Sequence, residues 1–173
     1  MNRFVQGWQN FWFPESSAYN LAICRIIITA SKLIFFFPSL EFHIDLLDGG
    51  TKFIEPQIFI SLIDALFPAD LVFTSQSISI IYWITAIAGL TAVIGLATRA
   101  SALVFALGNW FFVALRYSYG EEHHSEAILC IFILLLALSP SGKRLSIDAL
   151  LRRLRTSESD TSANQAIALN TAM

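Results

Sequence analysis

Residues 116–148 read RYSYGEEHHSEAILCIFILLLALSPSGKRLSID, and this stretch decides how the rest of the chain is interpreted. It opens with a polar and charged run, becomes apolar at 127–138, and closes on a turn that contains Lys143 and Arg144. An apolar helix with acids and histidines at one end and basic residues at the other is typical of a short membrane span. We therefore predict a span at about 126–138.

The composition also indicates an integral membrane protein of one domain. Hydrophobic residues make up 55% of the 173 residues and charged residues 14%, against roughly 45–50% and about 25% in soluble domains. The net charge of −2 gives no reason to expect a nucleic-acid partner. Cys24 and Cys130 both lie in apolar stretches, which favours buried thiols over a disulfide or a metal site.

Three earlier apolar stretches resemble membrane spans, since a bilayer core needs about 20 such residues. The predicted fold is therefore all-α, an integral membrane four-helix bundle. Its single transmembrane domain covers 1–155, with spans at about 18–37, 78–96, 101–115 and 126–138.

Further elements are predicted around the spans. Aromatic residues at helical spacing within 1–13 predict an N-terminal interfacial helix. The long outer loop at 39–77 carries a short helix that begins at Pro56 and is stopped by Pro68. A C-terminal amphipathic helix with several arginines follows Ser146. The Ser-, Thr- and Asn-rich segment 156–173 is predicted to be a disordered tail.

Basic residues predict the orientation. Four spans place both termini on one side, which then carries seven basic residues, whereas the other side carries only Lys52 and Arg116. By the positive-inside rule, we predict a multi-pass protein of the cell membrane with both termini in the cytoplasm. The long loop and the acidic segment before the last span then face the outer compartment.

The densest group of titratable residues lies at 121–126, in that acidic segment. A histidine held by a carboxylate can act as a general acid or base, so we predict His124 and Glu122 as catalytic residues and His123 as a ligand contact. A solvated helix cap and a metal site are the alternatives. Adjacent histidines point about 100° apart on a helix and chelate poorly, so no metal ligand is assigned. His43, in the outer loop, is interpreted as a surface residue.

Polar residues also fall inside the predicted spans. Arg25 must face other helices or a wet cavity, because an unpaired charge at that depth costs at least ~2.5 kcal/mol. It forms either a structural ion pair or a contact with an anion or a quinone oxygen. Lys32 is close enough to the helix end to reach the interface. Asn109 is expected to hydrogen-bond to a neighbouring helix. Arg25 and Asn109 are thus candidate ligand contacts.

Six short motifs occur along the chain: LAICR at 21–25, LDG at 47–49, LIDALFP at 62–68, GLATR at 95–99, HS at 124–125 and SIDAL at 146–150. In order and spacing they resemble the horizontally transferred transmembrane (HTTM) domain, the membrane part of vitamin-K-dependent gamma-carboxylase. DoxX/DoxD-type proteins are similar as well. Those are small four-helix membrane proteins with a Gly-x-x-Thr-Arg link, and some act with quinone-linked oxidoreductases. The resemblance covers about 18–152 and carries over five residues, Arg25, Arg99, His124, Ser146 and Asp148.

The resemblance and the apolar bundle together suggest a quinone- or lipid-interacting module, or an accessory subunit of a membrane redox enzyme. The expected partners are bilayer lipid and a membrane or redox protein, and a quinone is the suggested cofactor. A stand-alone membrane enzyme that uses His124 as acid or base, and a structural assembly subunit, are the alternatives. Gamma-carboxylation by this chain alone is not expected, because the family's catalytic lysine lies beyond the matched region.

Overall fold

The computed structural model of the protein describes residues 18–48, 56–67, 72–120 and 124–156. Every regular element in these ranges is helical, which confirms the predicted all-α class. The predicted N-terminal interfacial helix lies outside the described residues. The predicted tail does so too, apart from Thr156.

Three helices are long and apolar enough to cross a membrane. They are α1 (Ala18–Phe35), α4 (Ser75–Ile94) and α5 (Thr98–Ser118). The helix α6 (His124–Leu138) is equally apolar but has 15 residues. That is about 22 Å of helix, against a hydrocarbon core of about 30 Å. The predicted membrane character is confirmed, while the crossing by a fourth helix stays a prediction.

Two short helices, α2 (Leu40–Asp48) and α3 (Ile58–Leu66), lie in the connection between α1 and α4. Only α3 corresponds to the helix predicted for this connection, so α2 is an addition to the predicted architecture. Its apolar residues Leu40, Ile44 and Leu47 recur at helical spacing and pack against the core. This partly buried stripe explains why a segment with three acids still folds as a helix.

The helix α5 is the most buried of the three long helices, and it packs between α4 and α6. Gly89 lets α4 and α5 approach closely, because a Cβ atom there would lie 2.6 Å from Cε2 of Phe105. Two clusters of buried residues form the core. One contains Ala88, Ala92, Ala102, Phe105, Ala106, Ile133 and Ala137. The other contains Ile60, Ile78, Phe111, Phe112, Ala114 and Leu115.

After α6, a short 3-10 turn at Ser141–Lys143 leads to the last described helix, α7, at residues 147–156. Ser146 begins α7 as predicted, since its Oγ accepts a hydrogen bond from the N–H of Ala149 at 3.0 Å. The serine hydroxyl also donates to the carbonyl oxygen of Gly142 at 2.8 Å. The turn and the helix are therefore joined at their boundary.

Polar residues gather at the two ends of the bundle. At the end called here the Asp148 end, one carboxylate oxygen of Asp148 accepts the N–H of Ala97 at 2.9 Å. The other oxygen accepts the N–H and the hydroxyl of Thr98, each at 2.7 Å. The opposite end, the Glu126 end, holds Lys32, Arg116 and Glu126. The candidate functional site lies there.

Candidate functional site

Three charged side chains from three helices meet at the Glu126 end. Nζ of Lys32 lies 3.2 Å from one carboxylate oxygen of Glu126, and Nη1 of Arg116 lies 2.9 Å from the other. Lys32 also donates to the carbonyl oxygen of Phe36 at 2.7 Å. The Lys32 side chain is fully buried, and those of Arg116 and Glu126 are 16% and 15% exposed. These pairs are therefore shielded from solvent.

The helix ends explain this arrangement. Lys32 lies in the last turn of α1 and Arg116 in the last turn of α5, whereas Glu126 lies in the first turn of α6. Basic residues are favourable near helix C-termini and acidic residues near helix N-termini. The antiparallel helices thus bring complementary charges to one level. Glu126 and the Phe36 carbonyl satisfy the Lys32 ammonium within the protein, and its reach to the membrane interface stays a prediction.

A cavity of about 410 Å³ lies beside this charge cluster, between α3, α5 and the start of α6. Most of its wall is apolar, and polar groups come from Gln57, Trp110 and Tyr117. Val113 and Tyr117, which line the cavity, also line a narrow crevice together with Arg116 and Glu126. An apolar volume with a few polar groups at one edge is the usual form of a small-molecule site.

His43 on α2 is buried beside the cluster, not on the surface, so its interpretation as a surface residue is wrong. Its ring is 1% exposed and packs edge-on against Phe112 at 4.9 Å between centroids. Its Nδ1 lies 2.6 Å from the carbonyl oxygen of Ser39. Burial, together with the nearby charge of Arg116, lowers the pKa of His43 below 6.5, although the Ser39 carbonyl and Glu126 act in the opposite direction.

Of the site residues predicted at 122–124, the structure describes His124. Glu122 and His123 lie outside the described residues. His124 is exposed at the start of α6, and its ring meets that of Tyr117 edge-on at 6.3 Å between centroids. Since Tyr117 lines the cavity, His124 adjoins the cavity wall. Its catalytic role stays a prediction.

Arg25 lies at the opposite end of the bundle. It is fully buried, and its guanidinium donates to the carbonyl oxygens of Ser141 at 3.0 Å and of Leu145 at 2.7 Å. It thus joins α1 to the segment that follows α6. Arg25 does not line the cavity at the Glu126 end, and a ligand role for it stays a prediction.

Asn109 lies inside the bundle, as predicted, but its hydrogen bond differs from the expected one. Nδ2 donates to the carbonyl oxygen of Phe105 at 2.8 Å, within the same helix. Oδ1 is buried and has no hydrogen-bond partner among the described residues. The expected bond to a neighbouring helix is therefore wrong, because the amide bonds back to its own turn. Asn109 does not line the cavity, and its ligand role stays a prediction.

Glu126 belongs to the predicted group at 121–126, but its partners Lys32 and Arg116 are not among the predicted site residues, because they lie outside that group in the sequence. Each of the three charges lies at the end of a predicted span, and all three ends are on the same predicted side of the membrane. This shared position could have identified them from the sequence. Among the described residues, no three potential ligands cluster in a way that could hold a metal ion. What the geometry offers is therefore a shielded charge cluster beside an apolar cavity, suited to orienting a polar head group on an apolar molecule.

Comparison with curated proteins and with solved structures gives no match. A comparison with family models does: the HTTM domain model matches residues 13–172. This range covers all four described stretches of the chain, including both polar ends of the bundle. The motif resemblance to the HTTM domain is thereby confirmed, and that to DoxX/DoxD-type proteins stays a resemblance. The protein belongs to the HTTM domain family.

Proposed function

We propose that this HTTM-family membrane module binds an isoprenoid quinone, or a similar apolar molecule with a polar ring, in the cavity at the Glu126 end. The supporting observation is the cavity of about 410 Å³ whose apolar wall adjoins the crevice of Arg116 and Glu126 through Tyr117. Its volume lies within the range of about 300–1,000 Å³ that is usual for ligand pockets.

The polar groups of the cavity match a quinone ring. Quinone oxygens only accept hydrogen bonds, and the tyrosine hydroxyl, the indole N–H and the glutamine amide can each donate. Tyr117, Trp110 and Gln57 supply these three groups. The apolar remainder of the wall suits the ring faces and the first part of an isoprenoid tail.

The cavity also has a side that a lipid-like ligand can enter. Ile58 and Leu62 line it on α3, and they are 88% and 53% exposed. In a membrane protein, exposed apolar residues of this kind face lipid or another protein. A tail can therefore leave the cavity past α3 and remain in the apolar part of the bilayer.

An accessory role beside a redox enzyme is part of the same proposal. The face of α4 that points away from the bundle carries large exposed apolar side chains: Ile80, Trp83, Ile84, Ile87, Leu90 and Ile94. Lipid or a partner helix can cover this face. Co-purification of a redox protein in mild detergent supports the accessory role, and a chain that purifies without a stoichiometric partner contradicts it.

The ligand is tested with ubiquinone or menaquinone added to the purified protein. At 100 times its dissociation constant, a ligand adds about 2.7 kcal/mol of stability, seen as a higher melting temperature in detergent. Ala127→Phe narrows the cavity and removes this gain. Ala86→Phe on α4, where the alanine is also half-buried but outside the cavity lining, keeps it.

Because Ala127 is half-buried and a larger side chain there also presses on its neighbours, Leu62→Trp provides a second way to fill the cavity, from an exposed position. The melting temperatures of both variants are first measured without quinone. A variant whose melting temperature equals that of the unaltered protein is then titrated with quinone. The proposal is wrong if quinones do not stabilise the unaltered protein. It is also wrong if the cavity variants respond as Ala86→Phe does.

A further inference from the structure

A second cavity, of about 450 Å³, lies at the Asp148 end, between the start of α5, the 3-10 turn and α7. Arg99, Lys143 and Arg152 line it, and among the described residues Asp148 is the only acid in its lining. We propose that this cavity binds the phosphate group of an anionic phospholipid. The site is separate from the quinone cavity, which lies at the other end of the helices.

The charges of the lining are not balanced within the described part of the chain. Asp148 already accepts three hydrogen bonds from Ala97 and Thr98. Arg99 and Lys143 are exposed, and the side chain of neither makes a hydrogen bond or an ion pair with another described residue. Two cations thus border one cavity with their donor groups available. An anion with several oxygens is the ligand that such an arrangement fits.

Arg152 gives the cavity a fixed edge. Its Nη2 donates to the carbonyl oxygen of Gly142 at 2.6 Å, and its Nε donates to the carbonyl oxygen of Asp148 at 3.1 Å. The guanidinium is therefore held against the 3-10 turn, although the side chain is exposed. A third positive charge is thus present at the cavity in a set position, so less conformational freedom is lost when an anion binds.

The surroundings favour a lipid as the source of the phosphate. The helix α7 exposes Leu150, Leu151 and Leu154 next to its arginines, a pattern typical of helices that lie in the headgroup layer. A smaller cavity of about 240 Å³ on another side of α7 is lined by Arg144 and Arg153. Basic pockets between transmembrane helices on the cytoplasmic side bind anionic lipid headgroups, and the predicted orientation places the Asp148 end on that side.

The test uses the full chain in maltoside micelles, with three probes: dioleoyl phosphatidylglycerol, dioleoyl phosphatidylcholine and inorganic phosphate. Melting temperature is measured as each is added. Phosphatidylglycerol raises it, and phosphatidylcholine, which carries no net charge, does so much less. If inorganic phosphate alone has the same effect as phosphatidylglycerol, the site still binds phosphate but its ligand is the free ion.

Matched variants localise the effect. A direct hydrogen bond from a cation to the phosphate contributes about 1.5–3 kcal/mol, so Arg99→Gln should weaken phosphatidylglycerol binding by about tenfold or more. The double variant Arg99→Gln/Lys143→Gln should weaken it by about a hundredfold or more. Arg155→Gln, an exposed arginine of α7 outside both cavity linings, removes only the general attraction of a basic residue to an anionic surface and should weaken it by about fivefold at most. Equal effects of Arg99→Gln and Arg155→Gln, or no response to any probe, overturn the proposal.

Discussion

Glu126 is the residue that connects three helices at the candidate site, because each of its carboxylate oxygens pairs with a cation from a different helix. Lys32 depends on it most, since the lysine side chain is fully buried and its other partner is a backbone carbonyl. Removing one member of a buried pair leaves an uncompensated charge, which costs more than the pair itself contributes. Replacing Glu126 should therefore cause a large loss of stability that replacing an exposed acid does not cause.

Glu126→Gln is predicted to destabilise the protein by about 3 kcal/mol, because Lys32 then lacks its counterion. The measurement is denaturant or thermal unfolding in detergent. Glu41→Gln is the matched control, since Glu41 is exposed on α2, and such a surface change stays within about 0.5 kcal/mol. Adding Lys32→Met to Glu126→Gln removes the stranded ammonium and should recover part of the loss. Equal stability of the two single variants would contradict the prediction.

At the residue scale, the sequence indicates that charges inside apolar stretches need partners, but it does not say which. For Arg25 the sequence leaves a structural ion pair and a ligand contact as alternatives, and in the structure its guanidinium donates to two backbone carbonyls. Carbonyl acceptors exist at every residue, so no side-chain pattern identifies them. The interpretation of His43 as a surface residue fails for a related reason: its burial depends on α2 packing against Phe112, a contact between distant segments.

At the scale of elements, the long apolar helices are predictable because lipid demands length and hydrophobicity together. Short helices are less predictable from the sequence, since a nine-residue helix is only marginally stable by itself and depends on tertiary packing. The predicted helix after Pro56 corresponds to α3, whose Ile60 is buried. The unpredicted α2 has a comparable stripe, Leu40, Ile44 and Leu47, but acids in the same stretch obscured it.

The junction of α5 and α7 also gives a prediction at this scale. Ala97, just before α5, has a φ of 46°, a conformation that residues other than glycine rarely adopt. The hydrogen bonds from Ala97 and Thr98 to Asp148 hold it there. Asp148→Asn replaces an acceptor oxygen by a donor and leaves an N–H or the hydroxyl unsatisfied, so a loss of about 1–3 kcal/mol is expected. Asp45→Asn, an exposed position on α2, is the control.

The same junction should be sensitive to acid. Burial alone would raise the pKa of Asp148, but the hydrogen bonds from Thr98 and Ala97 and the nearby Arg152 hold it below 3.8. A carboxyl group with a lowered folded-state pKa stabilises the fold above its ordinary pKa, and this contribution is lost as the pH falls through the folded value. The difference in free energy of unfolding between the unaltered protein and Asp148→Asn should therefore become smaller below about pH 3.8. A difference that stays constant in acid would contradict the idea that it arises from the ionised carboxylate of Asp148.

At the scale of the whole molecule, the two polar ends are related through α1 and α6. Arg25 and Lys32 lie on one face of α1, only seven residues or about 10 Å apart, yet their side chains reach opposite ends of α6. Lys32 meets Glu126 in its first turn, and Arg25 meets Ser141 just beyond its last residue. The helix α6 is about 22 Å long, so the long arginine and lysine side chains cover the part of this length that the separation of about 10 Å along α1 does not. The two polar layers are therefore closer together than the usual hydrocarbon thickness of about 30 Å.

This short separation makes the topology of α6 the decisive test of the four-span prediction. If α6 crosses, the bilayer thins locally or the flanking polar residues lie in the interface, and residues 120 and 156 are on opposite sides of the membrane. Reporter fusions active only in the outer compartment should then work after residues 48 and 120 and fail after residues 97 and 156. Fusions to a cytoplasm-dependent fluorescent protein should give the reverse pattern. If the fusions after 120 and 156 agree with each other, α6 does not cross and both termini are not on one side.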